Sequence, residues 1–299
     1  MTAALTALIE RELEAEPPPE ARLIVERILA RHSGNVCAVL FYGACRRRGI
    51  ADGLLDFYVI VDRATAATAT RAGAAAMSAL PPTVVFDRLP ADGDRPGVAA
   101  KIAFVTSRSF ARRMRSGSLD SSFWARFCQP VSLLYVRDPQ ARADAVEAIA
   151  QACRTAAGHA LALLPGGSGA AWEALFAFTY RTELRPEGRE RPSAIYDRDS
   201  DWYDAVLTAV AGGGGIDGMD TSLQPLPARL RLRIATGKCL TFLRLVKGAF
   251  TFEGAVDYAI WKIERHGGGT VRLSGWQRRH PVLASPVILT RLLRSGAIR

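Results

Sequence analysis

Two short apolar runs constrain the fold of this chain more than any other feature. "VCAVLFY" spans residues 36–42 and "LLDFYVIV" spans residues 54–61, and both are rich in β-branched and aromatic residues. Runs of this length and composition are typical of strands buried in a sheet. Similar patterns at 83–89, 99–106 and 131–138 predict three further strands.

Helical patterns surround these strands. They cover 2–15, 20–32, 64–80, 141–164, 170–184, 201–211 and 228–265. We therefore predict an α+β fold, in which a mixed sheet with flanking helices is followed by a mainly helical region. The change of character at Pro139 predicts two domains, 1–140 and 141–299.

Composition excludes several classes of protein. Apolar residues make up 49% of the chain and charged residues 23%, which predicts a sizeable core. No apolar run approaches the roughly 18–20 residues that span a bilayer. Five glutamates in the first twenty residues argue against a targeting peptide. Five cysteines without C-x-x-C spacing predict neither a disulfide framework nor a zinc site, and favour a reducing compartment.

The net charge of +10 is concentrated at one end of the chain. Residues 226–299 carry 14 Arg and Lys against 3 acids, a net charge of +11, so residues 1–225 sum to −1. These cations alternate with Leu, Val, Phe and Trp. The pattern indicates that this end meets an anion, such as nucleic acid, a phosphorylated substrate or acidic lipid.

The segment between the first two strands carries the first candidate site. Gly43 ends the first run, three arginines follow, and Asp56 lies inside the second run. A Gly turn lets backbone approach a phosphate, and an acid on the next strand can hold Mg²⁺ on a triphosphate. This is the arrangement of a nucleotidyltransferase, although most such enzymes carry a second acid two residues on, where this chain has Tyr58. The pattern fits equally well a β-hairpin with an isolated acid on an edge strand.

Two later segments supply further candidates. "TYRTELRPEGRERPSAIYD" (179–197) brings a Tyr, a Glu and several arginines together after an apolar helix. Lys247, in "KGAFTFEG" (247–254), fits either a surface lysine or a phosphate contact.

Taken together and in order, these segments resemble the mitochondrial-type phosphatidate cytidylyltransferases, the mitochondrial translocator assembly and maintenance protein family. "FYGAC" and "LLDFYVIVD" are similar to the family's Y-G-S turn and its strand with one acid followed by Phe. Lys101 falls on the family's K-Y-G-V-type strand, and "FWARFCQPVSLLYV" is similar to its W…A-G-R-L-x-K-P-V segment. "TYRTELRP" and "KGAFTFEG" are similar to its S-Y-x-G-D-x-R-M and K-G-I-x-T-A-G motifs.

The resemblance implies a nucleotidyltransferase domain and a winged-helix-like second domain. It also implies transfer of the cytidylyl group from CTP to phosphatidate, with Mg²⁺ as cofactor and CDP-diacylglycerol and pyrophosphate as products. It implies catalytic roles for Asp56, Glu183 and Lys247. It assigns the nucleotide to Tyr42, Gly43, Ala44, Lys101, Tyr180 and Arg185. Asp56 is the expected metal ligand, with Asp62 and Glu183 as candidates for a second carboxylate.

The chain departs from the family at several points. Ala44 replaces a Ser expected at the phosphate, Glu183 is one methylene longer than the family Asp, and "FCQPV" lacks a Gly-Arg pair. These differences put the lipid acceptor in question more than the nucleotide chemistry.

The lipid reaction predicts a peripheral protein on the cytoplasmic face of a membrane. The basic C-terminal segment would meet an anionic surface, and no nucleic acid is expected. Two alternatives stay open: a nucleotidyltransferase with a soluble acceptor, such as a sugar, an antibiotic or an RNA end, and a non-catalytic nucleic-acid-binding protein.

Overall fold

The structure is a computed structural model that describes residues 2–32, 34–51, 53–91, 97–164, 167–182, 192–212, 227–251 and 274–275. The strands are β1 (Val36–Tyr42), β2 (Leu54–Val61), β3 (Thr83–Leu89), β4 (Val98–Thr106) and β5 (Ser132–Val136). The helices of the first half are α1 (Ala3–Leu13), α2 (Pro19–His32), α3 (Ala44–Arg48), α4 (Arg71–Ala79), α5 (Ser107–Arg113) and α6 (Ser121–Phe127). Those of the second half are α7 (Pro139–Leu163), α8 (Ser168–Thr182), α9 (Pro192–Arg198), α10 (Ser200–Ala211) and α11 (Pro227–Thr251).

The five strands form one mixed sheet in the order β3-β4-β2-β1-β5. β2 and β4 are parallel, and the other neighbouring pairs are antiparallel. The prediction of a helix-flanked mixed sheet followed by a helical region is confirmed. β2 is the central strand, so the alternative of an isolated acid on an edge strand is excluded for Asp56.

Each face of the sheet is covered by its own set of helices. Side chains of Val39, Phe41, Phe57 and Val59 point to one face and pack with apolar residues of α2 and α4. The opposite face, with Leu40, Tyr58, Ile60 and Ala103, packs with α1, α5, α6, α7, α8 and α10. This second cluster contains residues from both sides of position 140, so the two predicted domains share one core. The division at 140 itself stays a prediction.

Capping residues account for two places where the element bounds differ from those predicted. The predicted helix 64–80 is a 3₁₀ turn followed by α4, because the Thr70 side chain accepts a hydrogen bond from the Gly73 N–H at 3.0 Å and starts a new helix. The predicted strand 131–138 ends early, because Asp138 accepts from the Ala141 N–H at 2.7 Å and starts α7.

The second half is helical throughout its described residues. These residues contain no strand that could form the wing of a winged helix, so that part of the prediction is untested. Within the described ranges, no single helix has the length and apolarity needed to cross a bilayer; α7 and α8 reach it only as a pair, and they bend by 100° at their junction.

Candidate functional site

Three polar side chains form a row across three neighbouring strands. Asp56 on β2 pairs with Tyr42 on β1 and with Lys101 on β4. Partners in register project from the same face of a sheet, about 5 Å apart. This row lies on the face that packs against the C-terminal helices, and all three residues are half-buried. The sheet therefore brings together three residues that the sequence assigned to one site.

The turn after β1 lies directly against the Asp56 carboxylate. Gly43 has φ +90°, a conformation that favours glycine, and a Cβ at this position would lie 2.9 Å from Oδ2 of Asp56. The backbone of Gly43 was predicted to approach a phosphate closely. In the structure it makes a close approach to the Asp56 carboxylate. Ala44, the next residue, is exposed at the start of α3.

The three arginines of α3 have different surroundings. Arg46 is buried, pairs with Glu12 of α1 and donates from Nε to Ser132 Oγ on β5 at 3.1 Å. The half-buried Arg47 lies near Asp56 and also near Asp199, the residue before α10. Arg48 is exposed. One arginine thus ties the turn to the rest of the fold, and the next contributes positive charge at Asp56.

Arg126 is a site residue that was not predicted from the sequence. Its Nη1 donates to the Tyr58 hydroxyl at 3.1 Å, and its guanidinium carbon lies 5.4 Å from the Tyr42 ring centroid and 5.7 Å from that of Tyr58. It belongs to "FWARF", the segment that matched the family, but a cation in an apolar segment also fits a solvent-facing position. Only the packing of α6 on the sheet places it beside Asp56.

Asp56 is one acid among several cations. Burial raises the pKa of Asp56, while the charges of Lys101, Arg126 and Arg47 lower it. Burial also raises the pKa of the Tyr42 hydroxyl well above its usual range, and the nearby Asp56 raises it further. Three cations around one carboxylate leave a local excess of positive charge, which suits a polyanionic ligand.

The residues of the row fit a divalent cation that is held largely by its substrate. Among the described residues, no three His, Cys, Asp or Glu side chains are grouped in a way that could hold a metal ion. Mg²⁺ in nucleotide enzymes is commonly bound through one or two carboxylates, with phosphate oxygens and waters as its other ligands. Asp56 can provide one such carboxylate.

Asp62 does not lie beside Asp56. It follows the far end of β2, about 20 Å away at ~3.3 Å per residue. Its carboxylate pairs with Arg137 and accepts from the Cys37 thiol at 3.0 Å, and the hydrogen bond from Arg137 holds its pKa below the usual range. It lines a separate cavity of about 580 Å³ between α5 and α7. The prediction that Asp62 shares a metal ion with Asp56 is corrected by this separation.

Lys247 is engaged in a structural contact. Its Nζ donates to the carbonyl oxygens of Leu80 at 2.6 Å and Pro82 at 2.5 Å, and lies 3.5 Å from Thr83 Oγ1. Its neighbour Arg244 donates to the Pro81 carbonyl at 2.8 Å and pairs with the buried Asp120. These contacts dock α11 on the start of β3. They use the ammonium donors of Lys247, so the predicted catalytic role has no support in this structure.

Three predicted site residues remain. Tyr180 is half-buried in the last turn of α8. Glu183 and Arg185 lie outside the described residues, so their predicted roles are untested.

Comparison with known proteins gives little further information. No protein-family model matches the chain, and no curated protein matches it. A solved structure, a nucleotidyltransferase-like protein from Exiguobacterium sibiricum, aligns over 93% of each chain at 12% identity with a TM-score of 0.30. This likeness assigns no function to the chain.

Proposed function

We propose that this protein is a nucleotidyltransferase whose site is the row of Tyr42, Asp56 and Lys101. The observation that carries the proposal is the position of Asp56: the sheet register pairs this half-buried carboxylate with Lys101, the Gly43 turn lies against it, and the charges of Arg126 and Arg47 act on it. A structural ion pair needs one cation per acid. An excess of cations at a carboxylate is what a triphosphate and a metal ion together require.

Asp56, the cations around it and the Gly43 turn each have a chemical task in this reaction. Lys101, Arg47 and Arg126 neutralise the triphosphate and stabilise the charge that develops on the leaving pyrophosphate. Asp56 holds the divalent cation. When bound, Mg²⁺ would offset the charge of the triphosphate. Because the nucleotide must lie in line with its acceptor, the close approach of Gly43 to Asp56 contributes to positioning.

For the substrates, we propose CTP and phosphatidate. The support is the family resemblance of "FYGAC…LLDF" and the charge of +11 in residues 226–299. A phosphatidate acceptor is already an anion, so it needs no strong general base, and the described row offers none besides Asp56. The direct test is incubation of the protein with α-labelled CTP, Mg²⁺ and phosphatidate micelles, followed by extraction of labelled lipid. Absence of labelled lipid at every Mg²⁺ concentration would contradict the lipid reaction.

The membrane surface is the partner that this reaction requires. Helix α11 carries six Arg and Lys and no acid, and Leu232, Phe242, Leu243 and Val246 are exposed on it. An exposed apolar set on a basic helix suits an anionic bilayer surface. On this proposal the protein acts at the cytoplasmic face of the membrane.

A soluble acceptor is the second candidate, and the position of Lys247 favours it. The sequence argument for a lipid acceptor included the match at 247–254, but Lys247 is bound to backbone carbonyls. A nucleotidyltransferase with a soluble acceptor would keep the Asp56 row and leave Lys247 to dock α11. Parallel assays with labelled CTP and ATP on phosphatidate and on RNA 3′ ends separate the two candidates.

A further inference from the structure

The residue two positions beyond Asp56 occupies a special place on the sheet. Side chains alternate along a strand, so Tyr58 projects from the same face as Asp56. In nucleotidyltransferases with two acids on this strand, this is where the second carboxylate stands. Tyr58 is buried, and its hydroxyl accepts a hydrogen bond from Arg126. At this position the chain therefore carries a phenol that accepts from a guanidinium, in place of a carboxylate.

The surroundings of Tyr58 hold Arg126 in one orientation. The centroid of the Tyr58 ring lies 4.9 Å from that of Phe127 and 5.7 Å from that of Phe123. Both phenylalanines are on α6, the helix that carries Arg126. The guanidinium also lies over the rings of Tyr42 and Tyr58. Aromatic packing on one side and a hydrogen bond on the other leave the side chain little rotational freedom.

We infer that Tyr58 positions Arg126 as a fixed positive charge beside Asp56, so that the site takes one divalent cation per nucleotide where two-acid enzymes take two. The inference rests on the proposed nucleotidyltransferase function. Its physical basis is charge balance: a second metal ion needs a second carboxylate, no second acid acts on Asp56 among the described residues, and the Arg126 guanidinium would repel the ion. Arg126 would then meet the triphosphate oxygens that a second ion would otherwise meet.

The first test counts metal ions at equilibrium. The protein is saturated with the non-hydrolysable analogue α,β-methylene CTP and titrated with Mn²⁺, and free Mn²⁺ is measured by electron paramagnetic resonance. One Mn²⁺ per bound nucleotide is expected. Two ions per bound nucleotide would overturn the inference and leave the proposed function intact.

The second test removes the positioning hydroxyl and keeps the ring. Tyr58→Phe should weaken binding of the same analogue ~10-fold, because a hydrogen bond to a charged group is lost. The matched control is Tyr203→Phe, which removes a buried hydroxyl that has no hydrogen-bond partner among the described residues. This control should bind as the wild type does. Equal affinity for Tyr58→Phe and wild type would contradict the positioning role.

The two tests separate the inference from the proposed function. If no nucleotide analogue binds with Mn²⁺, both fail together. If the analogue binds with one Mn²⁺ and Tyr58→Phe weakens it, the inference stands even where the labelled-lipid assay is negative, since only the acceptor is then wrong. Thermal unfolding of both variants detects a merely structural effect. If the Tm of Tyr58→Phe falls well below that of Tyr203→Phe while its affinity for the analogue is unchanged, the hydroxyl contributes to stability only.

Discussion

Gly43 and Asp56 are in contact across the β1–β2 junction, at a distance that leaves no room for a side chain at position 43. The contact joins a residue whose backbone conformation favours glycine to the one carboxylate of the row. The position of the acid and the shape of the turn therefore depend on each other.

Replacing Gly43 with Ala should disturb the site more than the fold. The new Cβ would lie 2.9 Å from Oδ2 of Asp56 and would also be strained at φ +90°. We expect a loss of about 1–3 kcal/mol in unfolding free energy and roughly 100-fold or more in transfer rate. Gly49→Ala is the matched control, because Gly49 has φ +67° but no atom within 4 Å of its hypothetical Cβ. Similar rate losses in both variants would show that strain alone is responsible.

Asp56→Asn should abolish transfer while the protein stays folded. The amide cannot ligate Mg²⁺ as a carboxylate does, so less than a tenth of the wild-type kcat should remain, a loss above ~1.4 kcal/mol. Loss of a buried charge and loss of its attraction to Lys101 oppose each other, so we expect the Tm to move by only about 2–4 °C. Asp62→Asn, at the other end of the same strand, should keep full activity. Retention of more than a tenth of kcat in Asp56→Asn would remove the metal-ligand role.

Lys247→Met should lower stability and spare the chemistry. It leaves the carbonyls of Leu80 and Pro82 without their donor, at a cost of about 1–3 kcal/mol measured by urea unfolding. Burial, together with the charges of Arg244 and Arg113, lowers the pKa of the Lys247 ammonium to about 8. We expect kcat within about threefold of wild type. A kcat loss of more than ~100-fold at unchanged Tm would return Lys247 to the reaction.

His159 should make stability depend on pH in a defined window. Burial, together with the nearby Arg233, lowers its pKa to about 4 from an ordinary value of 6.5. The unfolded chain therefore binds a proton that the folded chain resists, so stability is full above pH 6.5 and falls as the pH drops towards 4. At pH 4.5 the loss relative to pH 7 should reach about 2–3 kcal/mol. Urea unfolding of His159→Gln at pH 7 and pH 4.5 should show a loss of unfolding free energy that is smaller by this amount. A pH dependence equal to that of the wild type would contradict the role of His159.

The protein should bind anionic vesicles reversibly. We expect it to pellet with phosphatidylcholine vesicles that contain phosphatidate, to release at high salt and to ignore vesicles of phosphatidylcholine alone. Phe242→Gln should weaken this binding, whereas Ile50→Gln, at a similarly exposed residue away from α11, should not. Deletion of 282–299 should reduce activity on vesicles more than on a short-chain soluble phosphatidate. Salt-sensitive binding to duplex DNA in place of vesicles would assign the charge to nucleic acid.

The elements that the sequence predicted well are those with strong local patterns. The strands 36–42, 54–61 and 83–89 have the predicted bounds, because a continuous apolar run between polar turns leaves little choice of register or length. Asp56 and Gly43 were identified from the same local pattern. Lys101 was assigned to the same site only through the family resemblance, because the parallel pairing of β2 with β4, which brings it to Asp56, is a non-local contact.

The short helices were missed for a different reason. α3, α5 and α6 have five to seven residues, fewer than two helical turns, so apolar periodicity has no room to appear. α6 is apolar around most of its circumference and depends on its Asp120 cap and on burial. Since Arg126 lies on this helix, its part in the site could not be read from the sequence. The role of Lys247 was misjudged because its carbonyl partners lie more than 160 residues away.

The packing of α1 against the C-terminal helices has a consequence for synthesis of the chain. The Thr2 hydroxyl donates to the Ala209 carbonyl, and α1 shares its core with α7 and α10. All five strands have been made once residue 136 is added, yet the core on the face that carries Asp56 is complete only when α10 emerges, because α10 packs on α1, α7 and α8. At about 5–20 residues per second, this gap lasts roughly 4–15 s. During that interval the nascent chain exposes a broad apolar surface, a substrate for chaperones that the finished protein no longer presents.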